Sequence, residues 1–494
     1  MTGDAANGYL GLGTRLNSGP SRLLVEAGFA TEVRQSRFLH SWIGVADLVH
    51  VLALRDAEAI PAEPGRRLLR TLLDMQSHDW AEMPYDPVHG DVYNNREHLL
   101  RGLLGDDAGW LHLGRTRREA GRVAFYLAAR AGLLDLHDSV TSFASAALAG
   151  SREHVDTWWS DLTYLQPAQV SSLGHYLLSF GHEASRQLDR VRRAHDACGN
   201  LPVAAGGVAG TTVPVCRASY LERLGVTFPA TTSRDAMWGT DILVEVAHVA
   251  TQAALTVSKL AEDLMIFGSP PFGWVRIHDS HSRASVYLPQ KRNPYALSVI
   301  RGGTSRLLGR ATGVLTSVRT PSAQTDNWIY NYGDVLETVE LASSLVSLAS
   351  EVLARATFDR DRLAAAALDD FTEAPDLAES MVVSSGIDYR TAHEAVARVA
   401  EAAHQRGQRR FAAADYDRLG LTGAVPPPAS TPAALVAARR QEGGASPAQV
   451  RASGRRLERR LSRATAWRSD ARAAADSTTR SVVAEATAAA NESL

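Results

Sequence analysis

Ser285-Val286-Tyr287-Leu288-Pro289-Gln290-Lys291-Arg292-Asn293-Pro294 holds one of only two lysines in 494 residues that carry fifty arginines. A composition that writes nearly every cation as Arg keeps an amine here. Arg is a flat, permanently charged fork, whereas Lys is a compact point charge on a flexible stem. A loop that must move while setting one ammonium against a carboxylate has reason to refuse Arg. Two lysines must also fall somewhere by chance, so the neighbours decide the reading.

Four other stretches matter. Residues 110–119 read Trp-Leu-His-Leu-Gly-Arg-Thr-Arg-Arg-Glu, and 163–169 read Thr-Tyr-Leu-Gln-Pro-Ala-Gln. A glycine-rich turn spans 204–214, and Ser385-Gly386-Ile387-Asp388-Tyr389-Arg390 precedes Ala392-His393. In this order, together with the 285–294 loop, they resemble the fumarase/aspartase superfamily. The Pro-Gln-Lys-x-Asn-Pro form is most similar to argininosuccinate lyase. The first half of the loop departs: Ala284, Ser285, Val286, Tyr287 and Leu288 stand where the family has Gly, Ser, Ser, any residue and Met. Loss of the Gly and one Ser stiffens the loop.

The resemblance implies an all-α, three-domain L-aspartase-like fold, with segments expected at 1–112, 113–363 and 364–494. It implies a homotetramer around a long helical bundle, each active site drawing stretches from three chains. It implies no cofactor and no metal. The expected reaction is elimination of fumarate from an N-substituted aspartate, so the expected partner is a small succinyl-amine.

That chemistry needs a base for a weakly acidic Cβ proton, fixed donors for the resulting carbanion's carboxylate, and an acid for the leaving nitrogen. The resemblance makes Ser285 the base; read alone, it is a loop serine capping a turn. Lys291 and Asn293 would bind the substrate carboxylates, with Gln290, Thr163 and Gln166 beside them. Thr116 keeps a hydroxyl where the family has Ser. Arg115 and Arg117 match family arginines, though surface ion pairs in an Arg-rich chain are the plainer reading.

The departures concern the acid and the amine end. Tyr164 and Tyr93 stand where the family has active-site histidines, and Ser298 replaces the Glu that orients one of them. Losing both members of that pair avoids an unpaired charge. A phenol, with a pKa of about 10, is able to protonate a leaving amine, which makes Tyr164 the candidate acid. Arg118 and Glu119 replace Asn and Asp, and Thr240 replaces an Arg. Gln324, Ile329 and Tyr332 stand where argininosuccinate lyases have Tyr, Gln and Lys. Gln324 is kept in the substrate-binding set, but the arginine portion of argininosuccinate loses its partners, and such mismatches discriminate strongly. Arg118 adds a cation able to receive an extra anionic group. A true argininosuccinate lyase, an inactive scaffold and a cycloisomerase are the competing readings.

Composition agrees with an enzyme core. The chain is 45% apolar and 21% charged, with formal charge −2, so nothing argues for nucleic acid as a partner. Cys198 and Cys216 support neither a disulfide framework nor a zinc site, which suits a reducing cytoplasm. The first six residues lack a basic region and an apolar stretch, so no signal peptide is expected, and no apolar run of membrane-spanning length stands out.

The dominant period is helical. Val246, Val249, Ala253, Val257, Leu260 and Leu264 form one stripe; Val335, Val339, Ala342, Val346, Ala349 and Leu353 form another. They predict helices near 235–267 and 329–356. Breaks are expected at 60–65, 268–273 and Pro426–Pro428. Residues 451–472 carry eight arginines at helical spacing, read first as a solvated face. No β-rich segment is expected.

Overall fold

The computed structural model describes residues 15–226, 232–324, 326–421 and 431–492. The long helices are α1 (Ser36–Asp56), α2 (Ala62–Ser77), α3 (Val92–Leu104), α4 (Arg117–Glu153), α5 (Leu173–Ala197), α6 (Asp241–Phe267), α7 (Tyr295–Ser317), α8 (Asn331–Arg355), α9 (Ala374–Ser385), α10 (Tyr389–Gln405) and α11 (Pro447–Ala490). Short helical turns lie between them.

Both apolar stripes are buried. Every named position on α6 and α8 belongs to the main core. Helices α4, α5, α6, α7 and α8 pack along one another, and α11 lies back across α1, α2, α4 and α5. One main core takes residues from Leu39 to Leu363 and again from Val450 to Ala490, while residues 371–421 build a separate small core around Leu377, Met381, Val396 and Leu421. Gly386 closes α9 in the left-handed conformation, and the Asp388 carboxylate caps α10.

Helix boundaries shift where local chemistry intervenes. The first stripe begins at Asp241 because Gly239 separates it from a short helix, Ser233–Trp238. The break at 60–65 is confined to Ile60 and Pro61, since Ala62–Gly65 already form the first turn of α2. The arginine-rich segment and the Ala-rich end are one 44-residue helix, α11. The Pro426–Pro428 loop lies outside the described residues.

The expected all-α fold is found, with a few short strands that the sequence did not signal. Strands β1 (Trp158–Thr163) and β2 (Gln166–Ser172) form an antiparallel hairpin with Thr163 opposite Gln166. Its alternation escapes notice because a bulge falls at Asp161/Leu162. Four further two-residue strands form two short ladders, of which one bears on the site. β3 (Val275–Arg276) pairs with β6 (Thr357–Phe358), whereas β4 (Arg283–Ala284) and β5 (Arg292–Asn293) pin the two ends of the lysine loop.

Helix α1 is, by length and composition, apolar enough to cross a membrane. It carries His40, Asp47 and His50, and most of it is buried in the core. The sequence reading passed over it because those polar residues interrupt the run. Cys198 is buried and Cys216 exposed, both free.

Candidate active site

The lysine loop projects from the β4–β5 ladder. Val286 and Tyr287 are fully exposed, and Gln290 and Lys291 also face solvent. The Ser285 hydroxyl oxygen accepts the Leu288 amide at 3.0 Å, while the Lys291 amide donates to the Leu288 carbonyl at 3.0 Å. Ser285 therefore does cap a turn. The same hydrogen bond favours the anionic form of its oxygen. Asn293 donates to the Arg283 carbonyl at 3.2 Å, and Arg292 pairs with Asp279, so the base of the loop is held while its tip is free.

The 163–169 stretch is the corner of the β1–β2 hairpin. Tyr164 and Leu165 occupy its two central positions with φ of 55° and 58°. Both are left-handed, as a type I′ turn requires, a conformation that normally selects Asn or Gly. Each side chain with a Cβ costs about 1 kcal/mol or more there. Tyr164 is 99% exposed. Thr163 and Gln166 flank it, both exposed. Backbone strain of this kind clusters at active sites and ligand clamps.

The third element is the start of α4. Thr116 is its N-cap: the hydroxyl oxygen accepts the Glu119 amide at 3.3 Å and its hydrogen is donated to the Gly206 carbonyl at 2.9 Å. The 110–119 and 204–214 stretches thus meet, with Arg115 and Gly206 forming a single bridge. Glu119 is buried, and burial pushes its pKa up to about 8, against the nearby Arg115 charge and the backbone amides of residues 204–206.

One turn along, Arg117 and Arg118 line a cleft with Glu32, Asp91, Trp328 and Tyr332. Arg117 pairs with Asp91 at 3.4 Å. Burial, then Asp91, raises the Glu32 pKa. Tyr332 stacks on Phe125 with ring centroids 4.3 Å apart, and the Arg122 guanidinium lies 3.9 Å from the Trp328 ring. Tyr93 closes the cleft; burial pushes its pKa up to about 12.

Arg115 turns inward. Its guanidinium is buried, donating to Asp47 at 2.5 Å and to the Ala46 carbonyl at 3.2 Å. The other Asp47 oxygen sits 3.4 Å from Arg96. Arg115 also reaches the Tyr93 hydroxyl at 3.4 Å, so it supports Tyr93 from behind rather than facing the cleft. Gln324 is exposed and does not line the cleft. Asp47, Glu32, Trp328 and Arg122 were missed from sequence. Only Asp47, an acid inside an apolar helix, carried a readable signal.

Within one chain these parts stay apart. Among the described residues, no hydrogen bond, ion pair or ring contact joins the Tyr164 corner, the 285–291 loop and Thr116. No cluster of three His, Cys, Asp or Glu among the described residues is arranged to hold a metal.

A lyase family model matches residues 66–309. The argininosuccinate lyase of Methanoculleus marisnigri is 30% identical over 438 residues, covering 86% of this chain and 89% of the relative. That of Exiguobacterium sibiricum is 31% identical over 339 residues, covering 68% and 72%. An EDDS lyase variant with bound fumarate has the same fold, with a TM-score of 0.82 and 22% identity over 96% of this chain and 97% of that one. With relatives aligned along most of both chains, the protein belongs to the lyase family that contains argininosuccinate lyase, within the fumarase/aspartase superfamily.

Proposed function

We propose that the protein is a carbon–nitrogen lyase that releases fumarate and an amine from an N-substituted aspartate other than argininosuccinate. The observation that carries this reading is the Tyr164–Leu165 corner. A fully exposed phenol held on a strained left-handed backbone serves no packing purpose. The relatives' activity makes the acid of an elimination the task that fits it.

In this reading Ser285 acts as the alkoxide, its own proton given up to solvent and its oxygen supported by the Leu288 amide, and takes the Cβ proton. The electron pair moves onto the adjacent carboxylate, where the Lys291 ammonium and Asn293 offset the charge. The C–N bond then breaks, C=C forms, and Tyr164 gives its proton to the departing nitrogen. Thr163 and Gln166, flanking the corner, add hydrogen bonds to substrate, while Thr116, its hydroxyl engaged by Gly206 and Glu119, positions the glycine-rich turn. Asp91 offsets Arg117, which leaves Arg118 as the cation free to meet an anionic group in the cleft.

Tyr332 supports a different amine. Its ring is packed flat on Phe125, so no cation or flexible donor stands where the argininosuccinate lyases carry Lys. The separation of the three stretches within one chain supports a site completed by other subunits of a homotetramer. Exposed Val299, Leu308 and Leu315 on α7, with Leu255 on α6, supply apolar surface for such an assembly.

The test is to follow fumarate's ultraviolet absorbance while a panel of N-substituted aspartates is offered. Fumarate from at least one compound, and none from argininosuccinate, is expected. Silence across the panel would favour an inactive scaffold, and efficient argininosuccinate cleavage would move the reading to a true argininosuccinate lyase. Ultracentrifugation adds a second check: a fully active monodisperse monomer would end the shared-site proposal.

A further inference from the structure

The arginine run of α11 is left unexplained by the lyase site. Residues 451–463 hold six arginines and a single acid, Glu458. Arg451/Arg455, Arg455/Arg459, Arg456/Arg460 and Arg459/Arg463 are all like-charge neighbours one turn apart, each of which destabilises a helix. A merely solvated face would intersperse acids at those spacings. The neighbouring helices offset only part of the charge. Asp189 takes Arg460, Asp138 takes Arg468, Asp135 takes Arg472, and Glu458 itself is taken by Arg152 at 2.7 Å. Arg459 and Arg463 make no hydrogen bond or ion pair among the described residues.

These unpaired cations line a groove of about 470 Å³ between α4, α5 and α11. Arg456, Arg459, Arg460 and Arg463 form one wall, and Arg192 with Asp189 the other. Arg456 and Arg192 have only loose partners, Glu442 at 3.6 Å and Asp196 at 4.0 Å. Trp467 closes one end, its ring 5.1 Å from His137 and 5.3 Å from the Arg192 guanidinium. Burial, followed by the Arg468 charge, lowers the His137 pKa to about 4, so at neutral pH it adds no positive charge.

We infer that this groove is a second, non-catalytic anion site whose ligand carries two or more adjacent phosphates. A single carboxylate engages one fork. Guanidiniums on successive turns, with side chains about 5–6 Å apart at Cβ, match a ligand presenting several anionic oxygens in a row. Planar forks bind such oxygens bidentately, which accounts for arginine at each position. The volume falls in the range of small-ligand sites. Inorganic polyphosphate and the phosphate chain of a nucleotide share this chemistry.

Isothermal titration of the full chain with sodium triphosphate at low ionic strength tests the site. One saturable event per chain is expected, unaffected by saturating fumarate. Arg459→Gln with Arg463→Gln should weaken it about tenfold or more, leaving fumarate release unchanged and the unfolding temperature the same or slightly higher, since two like-charge pairs are relieved. ATP in a parallel titration separates the sources: tighter binding that Trp467→Leu removes assigns the nucleotide, and equal binding assigns the inorganic chain. No saturable heat, competition by fumarate, sulfate binding as tightly, or undiminished binding in the double variant would each overturn the inference.

Discussion

The Thr116 hydroxyl donates to the Gly206 carbonyl at 2.9 Å while its oxygen accepts the Glu119 amide at 3.3 Å. One side chain therefore caps a 37-residue helix and fastens the glycine-rich turn against it. Thr116→Val should cost about 1 kcal/mol through the lost cap, with a larger fall in kcat/KM as the turn loosens. Thr116→Ser should track the parent in both thermal melts and turnover.

Asp47 holds two buried guanidiniums, Arg115 at 2.5 Å and Arg96 at 3.4 Å. Asp47→Ala leaves both without a counter-ion. A loss of about 3–5 kcal/mol is expected, as for other broken buried pairs. Urea denaturation measures it; a loss below 1 kcal/mol, roughly that of an exposed pair, would show that water reaches the trio.

Tyr164 should separate stability from activity. Tyr164→Phe removes the proton and should cut kcat by roughly 10²–10⁴, less for substrates whose amine is already a weak base. Tyr164→Gly relieves the left-handed strain, so its melting temperature should hold or rise while turnover is lost. Parallel losses of stability and activity would make the residue structural.

Lys291 is exposed, and its side chain makes no hydrogen bond or ion pair among the described residues. Lys291→Arg should leave folding intact and reduce kcat/KM by about a hundredfold, because a fork cannot replace a point ammonium. Steady-state kinetics near the parent value would reduce Lys291 to a leftover lysine.

Glu119 predicts the direction of a pH effect. Its folded pKa is raised to about 8 from an ordinary 4.5. Between those values the folded state holds a proton the unfolded state has lost, so stability falls as pH rises through the window and then levels off. The slope from this one group is at most about 1.4 kcal/mol per pH unit. Glu119→Gln should flatten the parent's decline in unfolding free energy between pH 5 and 8; an unchanged slope would assign it to other groups.

The long stripes were legible because helical burial repeats every three to four residues, so Val246–Leu264 and Val335–Leu353 announced themselves. The 158–172 hairpin was not. Its bulge breaks the alternation, and Tyr164-Leu165 lacks the Asn-Gly chemistry that advertises a tight turn. Motif spacing singled out Thr116, Arg117 and Tyr93, which lie around one helix start. It left open which way Arg115 points, because an arginine's sequence neighbours say nothing of which way its stem turns. The cleft wall of Glu32, Trp328 and Tyr332 comes from segments some three hundred residues apart, a meeting that no local pattern records.

The hairpin corner also bears on how such a scaffold changes its chemistry. Ladder pairing between Thr163 and Gln166 sets the direction of the corner, and the residue at 164 touches almost nothing else in its own chain. With residue 164 as the proposed proton donor, the position is a socket: acids of different strength would plug in without repacking anything beneath them. A lineage would thereby be free to match the donor to a new leaving group by a single substitution, leaving the proposed carboxylate-binding residues untouched.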